Sequence, residues 1–349
     1  MDDHPMQRAD RMPADQDYPL ELKVEFLQRP DAYFDRPSQV EAIETRLSWV
    51  FLTEGHAYKL KKPRRLPEVN LSTVALRHAN CLTEIRLNRR LSPMVYHAAL
   101  CLALRPDGGL SLCERPGPAD RVVDWVVWMQ RLPTDRRMDE LIGFNSLQTS
   151  DVRNLGITLA RFYRFSRPVP MPADRYLGRF AQDVEKNQIA ARTTLPKEMA
   201  DRANKAAIWQ RGFLKTQRGL LRKRAEGRRI IEAHGDLRPE HIFFTVPLQI
   251  IDCLEFDRAL RLLDPVDELS YLGLECDRLG EGWIASHLLK IYEARSGDRA
   301  DPHLVAFYRS VRACIRIRLA AHRLADATAA QRRRWLERID QYLTCIEKH

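Results

Sequence analysis

Short apolar runs fill the first third of the chain, and helical spacing takes over after Pro133. Runs rich in β-branched, aromatic and aliphatic residues predict strands over 42–52, 57–61, 98–104, 110–113 and 122–129. Glu54-Gly55-His56 reads as the turn between the first two, and Asp107-Gly108-Gly109 as the turn between the third and fourth. One helix, 72–91, interrupts them, with Ser72 as its N-cap, Ala75, Ala79, Leu82 and Leu87 at near-helical spacing, and Pro93 at its end. The stretch 20–34 is short and mixed and reads as an entry segment.

Beyond Pro133 the apolar residues Val152, Leu155, Leu159 and Phe162 mark a helix over 150–165, which the proline-rich Ser166–Pro172 stretch breaks. Two or three charged helices are expected over 176–229, and two strong ones over 304–347, the last with the stripe Trp335, Ile339, Leu343 and Ile346. Between these helical regions, 242–245 and 248–251 read as a hairpin. Arg312 and Arg316 share one helix face, placed either to reach an anionic acceptor or to pair with acidic residues of the same region.

Composition narrows the class. A chain of 349 residues with 44% apolar content buries a large core. Net charge is +10, which favours anionic partners such as nucleotides. No recognition motif accompanies that charge, so a solvated basic surface explains it better than nucleic-acid binding. Seven cysteines without a Cys-x-x-Cys pair argue against a disulfide framework or zinc site and suggest reduced thiols of a cytoplasmic protein. Residues 1–18 are polar, lack the order of a signal peptide and suggest a flexible arm. No apolar run approaches the roughly 18 to 20 residues of a membrane helix, and no Gly-x-x-x-x-Gly-Lys-Ser/Thr occurs.

The chemistry concentrates at His234-Gly235-Asp236-Leu237-Arg238-Pro239-Glu240-His241, followed by Ile250-Ile251-Asp252. A carboxylate on a short loop, a possible metal ligand five residues later and a second carboxylate after an apolar run are the parts phosphoryl transfer requires. Asp236 would orient the acceptor hydroxyl and take its proton, and Asp252 would hold a magnesium ion.

His-Gly-Asp-Leu with a ligand five residues after the Asp, then Ile-Asp, resembles the aminoglycoside phosphotransferase and choline kinase branch of the protein-kinase-like fold. Further segments, among them Tyr58–Pro63, Arg86–Leu91, Asp252–Phe256 and Phe307–Arg309, resemble a bacterial group of uncharacterised aminoglycoside-phosphotransferase-like proteins, over about residues 40–316. Some members of that group continue into a P-loop ATPase domain. The branch carries Asn where this chain has His241, so the resemblance makes His241 the second metal ligand. Magnesium is the implied ion, with manganese as the alternative that an imidazole would favour.

The resemblance implies an α+β, two-lobed fold: an arm over 1–18, an N-lobe of antiparallel sheet and one helix over 19–132, and a helical C-lobe over 133–349 carrying the catalytic loop 234–242 and Asp252. Lys59, in an Ala-x-Lys context, is the first choice for binding phosphates, paired with Glu84; Lys61 shares its strand face and is the fallback, while Lys62 points away. The alternative leaves all three lysines as solvated edge charges. Met129 and Arg131 border the hinge at 130–133 that would contact adenine. No Gly-x-Gly-x-x-Gly precedes the lysine strand, and Thr45 to Ser48 would cover the phosphates instead. His234 and Asp267 would support the catalytic loop, with Asp264 and Pro265 starting the helix that carries Asp267.

The activity so implied is transfer of the γ-phosphoryl group of ATP to a hydroxyl of a small molecule. The alternative is a nucleotide-binding regulatory module of pseudokinase type. Aminoglycosides are polycations, and an acidic pocket at Asp264, Glu268 and Glu275 is the feature that would admit one.

Overall fold

The computed structural model describes residues 18–66 and 69–347; the arm expected over 1–18 lies, up to residue 17, outside them. The chain forms two compact units, one running to Thr134 and including Gln249–Asp257, the other formed by Asp135–Leu248 and the chain from Arg258 onward.

The first unit opens with helix α1 (Leu20–Leu27) and is built on strands β1 (Glu41–Glu44), β2 (Ser48–Leu52), β3 (His56–Lys61), β4 (Tyr96–Leu104), β5 (Leu110–Cys113) and β6 (Arg121–Gln130), with helix α2 (Val74–Asn88) between β3 and β4. They form a six-stranded antiparallel sheet in the order β1-β2-β3-β6-β4-β5. The single strand expected over 42–52 is two. Thr45 closes a turn between them, its hydroxyl donating to Ser48 O at 2.8 Å and accepting from Ser48 N at 3.0 Å. The helix start also shifts, because Thr73 caps it by accepting from Leu76 N, while the Ser72 hydroxyl donates to Asn70 Oδ1.

Strand alternation divides the lysine strand between two environments. Tyr58 and Leu60 pack with Leu27, Tyr33, Phe51, Leu100 and Val126 on the α1 side. The opposite sheet face carries α2, through Cys81, Ile85, Val127 and Met129. Lys59 and Lys61 lie on that second face. Because β3 lies between β2 and β6, these lysines are not edge charges, and Lys61 and Lys62 are only 1% and 3% exposed.

A buried ionic triad ties α1 and α2 to β6. Lys23 Nζ donates to Asp124 Oδ2 at 2.7 Å and Arg77 Nε to Asp124 Oδ1 at 2.8 Å, and all three side chains are fully buried.

The second unit is mainly helical: α3 (Met138–Gly143), α4 (Thr149–Phe165), α5 (Ala173–Thr194), α6 (Lys197–Thr216), α7 (Arg218–Glu226), α8 (Pro265–Arg278), α9 (Trp283–Ser296), α10 (Pro302–Ala321) and α11 (Ala329–Glu347). Ile339, Leu343 and their partners on α11 pack against Ile317 and Ala321 of α10 and Tyr271 and Leu274 of α8. Helix α8 is buried along nearly its whole length and starts as expected, with the Asp264 side chain accepting from Val266 N at 3.0 Å and Pro265 at the first position. No helix among the described residues is long and apolar enough to cross a membrane. The described cysteines are all free, although Cys101 and Cys113 face each other across β4 and β5 with sulfurs 2.9 Å apart.

Candidate active site

In the first unit, Lys59 Nζ lies 2.8 Å from Glu84 Oε1 on α2 and 2.8 Å from Asp252 Oδ1. Lys61 also pairs with Glu84, through Oε2, and donates to Glu255 Oε1 at 2.5 Å. The two lysines therefore share one fully buried carboxylate. Lys62, as strand alternation requires, turns away and donates to Glu44 and to Thr45 O.

Asp252 is held by its backbone. Ile250 exchanges two 2.8 Å hydrogen bonds with Ser92 Oγ, Asp252 N donates to Tyr96 Oη at 3.2 Å, and Cys253 N donates to Asn88 Oδ1 at 2.8 Å. Asp252 itself adopts φ +60°, a left-handed conformation that Asp tolerates better than most residues and that recurs at functional sites. Its carboxylate remains 45% exposed while Glu84 is buried. Asn88, Ser92 and Tyr96 are site-building residues the sequence reasoning missed, since they stand among Arg86, Arg89 and Arg90 with nothing to single them out.

Glu84 is opposed by burial, which raises its carboxyl, but the ammonium groups of Lys59 and Lys61 outweigh this and hold it below its ordinary 4.5. A carboxyl lowered on folding contributes stability that is complete above 4.5 and is lost as pH falls through the folded value. The stability gap between the parent chain and Glu84→Gln, measured by urea unfolding, should therefore narrow from about pH 6 to about pH 3. A gap unchanged across that range would show that Glu84 is not held ionised by the lysines.

The expected hinge residues are engaged within the sheet. Arg131 N donates to Gly55 O at 2.9 Å and its guanidinium to Thr53 O at 2.6 Å, while Gln130 N donates to Val95 O. Met129 is buried beside Ile85 and Ile251.

In the second unit, Gly235 takes φ +90°, which a side chain would resist, and this lets the chain turn between His234 and Asp236. The loop's amides are fixed from α8. Glu268 accepts from Gly235 N at 2.7 Å and His234 N at 3.3 Å, and Tyr163 of α4 donates to the same carboxylate at 3.0 Å. Asp267, expected in this bracing role, instead forms a two-point pair with Arg312, both contacts at 2.7 Å. His234 is fully buried, and its Nδ1 accepts from Asp236 N at 3.3 Å.

The Asp236 carboxylate receives a hydrogen bond from Tyr271 Oη at 3.0 Å, and Arg238 Nε lies 3.3 Å from its other oxygen. Burial and then the negative Asp236 push the Tyr271 phenol well above its ordinary range, so it remains a donor. His241 Nδ1 is 2.8 Å from Asp236 O, and its Nε2 is 3.2 Å from Arg238 Nη2.

The acidic pocket expected at Asp264, Glu268 and Glu275 is not formed. All three are buried: Asp264 is paired with Arg224, Glu268 braces the loop, and Glu275 is met by Arg278, Arg316 and Tyr342. Arg312 and Arg316 thus pair with carboxylates of their own unit.

Similarity to known proteins gives the class at the level of fold. No family model matches the chain. Uncharacterized proteins of Mycobacterium tuberculosis and Mycobacterium bovis are 25% identical over 290 residues, 82% of this chain and 56% of theirs, so the chain spans little more than half the length of these relatives. Among solved structures, the GDP complex of wild-type aminoglycoside 2'-phosphotransferase-IIIa superposes with a TM-score of 0.55 at 15% identity, covering 93% of this chain and 99% of that one. Choline kinase LicA from Streptococcus pneumoniae gives 0.51 at 12% identity, with 95% and 98% covered. The chain therefore has the α+β protein-kinase-like fold of aminoglycoside phosphotransferases and choline kinases.

Proposed function

We propose that the chain is a phosphotransferase that moves the γ-phosphoryl group of ATP to a hydroxyl of a small molecule. The observation that carries this reading is the Lys59 ammonium shared by Glu84 and Asp252, each 2.8 Å away. Burial alone would strip the charge from Lys59, but Asp252 and Glu84 hold its pKa well above the ordinary lysine range. It is a fixed cation for phosphate oxygens. Asp252 offers a half-exposed carboxylate, the oxygen donor that magnesium prefers. When bound, magnesium neutralises charge on the nucleotide phosphates. Asp236, oriented by Tyr271 and Arg238 on a loop fixed by Glu268, positions the acceptor hydroxyl and takes its proton.

An aminoglycoside acceptor is not part of this proposal, because the acidic residues that would receive a polycation are buried and paired. Isothermal titration with ATP should show saturable binding in magnesium buffer that EDTA abolishes and Asp252→Ala weakens by at least about tenfold. Absence of binding under all conditions would remove the nucleotide from the reading. Tight binding without transfer in a screen of hydroxylated acceptors would favour the regulatory-module alternative.

A further inference from the structure

The resemblance implies a second divalent ion held five residues after the loop aspartate, and the donor set here does not fit one. A carbonyl oxygen only accepts, so His241 Nδ1, 2.8 Å from Asp236 O, carries the ring hydrogen. A guanidinium only donates, so His241 Nε2, 3.2 Å from Arg238 Nη2, is the acceptor. The ring hydrogen thereby sits on Nδ1, and the Nε2 lone pair is aimed at a permanent cation. A metal on Nε2 would occupy the guanidinium's place, beside an imidazole buried to 7% residue exposure. Arg238 Nε also lies at ion-pair distance, 3.3 Å, from Asp236 Oδ2.

We infer that His241 is a positioning residue for Arg238 and not a metal ligand, and that the guanidinium supplies at the loop the positive charge a second ion would bring, so that no ion is bound there. Arginine suits the task because it stays charged at any working pH, and here its Nη2 is fixed by the His241 lone pair while its Nε lies at ion-pair distance from Asp236. The consequence for the reaction rests on the phosphotransferase reading; the assignment of His241 does not.

Two measurements on the full chain separate these levels. In ¹⁵N-histidine spectra, with His241 identified by its absence in His241→Asn, the ring should show the Nδ1–H tautomer, and Arg238→Ala should shift its Nε2 resonance. A proton on Nε2 overturns the inference whether or not nucleotide binds. In the complex with ATP, manganese counted by electron paramagnetic resonance should be one ion per chain, unchanged in His241→Ala. Two ions, falling to one in His241→Ala, would overturn it. Loss of nucleotide binding altogether would count against the phosphotransferase reading, and the imidazole spectrum would still decide the role of His241. Arg238→Ala should lower turnover about 100-fold, with no recovery at high manganese, and Arg238→Lys should restore part of it.

Discussion

Alanine at Asp236 should reduce phosphoryl transfer by about 100- to 10,000-fold while ATP affinity stays within about twofold of the parent, because general-base contributions fall in that range and the proposed phosphate and metal ligands lie elsewhere in the chain. The structure makes this a specific expectation. The loop conformation depends on Gly235 and on Glu268 binding the amides of His234 and Gly235, none of which the substitution touches. Tyr271 and Arg238 lose an acceptor, so Asp236→Asn is the better-matched control, keeping an oxygen for Tyr271 while removing the base. Lys59→Ala should show the opposite signature, with weakened nucleotide binding. Turnover near the parent level in Asp236→Asn would rule out Asp236 as the base.

The second large effect concerns stability. Asp124→Ala leaves Lys23 and Arg77 buried without their counter-charge, and breaking such a pair costs about 3 to 5 kcal/mol. The loss spans three elements, since the triad joins α1, α2 and β6. Urea unfolding of the variant should show a midpoint lowered accordingly. Replacing all three members by apolar residues of similar volume should recover most of the loss, since the triad's net contribution is small compared with the cost of leaving it half-made. A cost below about 1 kcal/mol for Asp124→Ala would mean that water or a neighbouring group already compensates the two cations.

Much of this architecture is legible in the pattern of the chain. Runs rich in β-branched, aromatic and aliphatic residues before Pro133 became the six-stranded sheet, and helical spacing after it became the helical unit. The strand-helix order brought Lys59 and Glu84 together, and alternation along β3 separated Lys61 from Lys62. The misses share a cause. Asp267 and Glu268 are neighbours about 100° apart on one helix, so which of them faces the loop and which faces Arg312 depends on the rotation of α8 in its packing, which one turn of sequence does not reveal. The β1–β2 turn has neither Gly nor Pro and is closed by the Thr45 hydroxyl, leaving no punctuation inside an apolar run. The buried triad joins residues 23, 77 and 124, far apart in the chain, and single-residue propensities carry no sign of it.

Glu84 serves two ammonium groups at once, and this makes position 59 unusually separable from folding. Removing Lys59 leaves Glu84 still neutralised by Lys61, whereas removing Lys61 deprives both Glu84 and Glu255. On the proposed reading, phosphate-facing and scaffold-facing duties are thus divided between two lysines one turn of the pleat apart. The outer one is open to redesign, for instance to a shorter cation or a photoreactive analogue, while the inner one preserves the architecture around it.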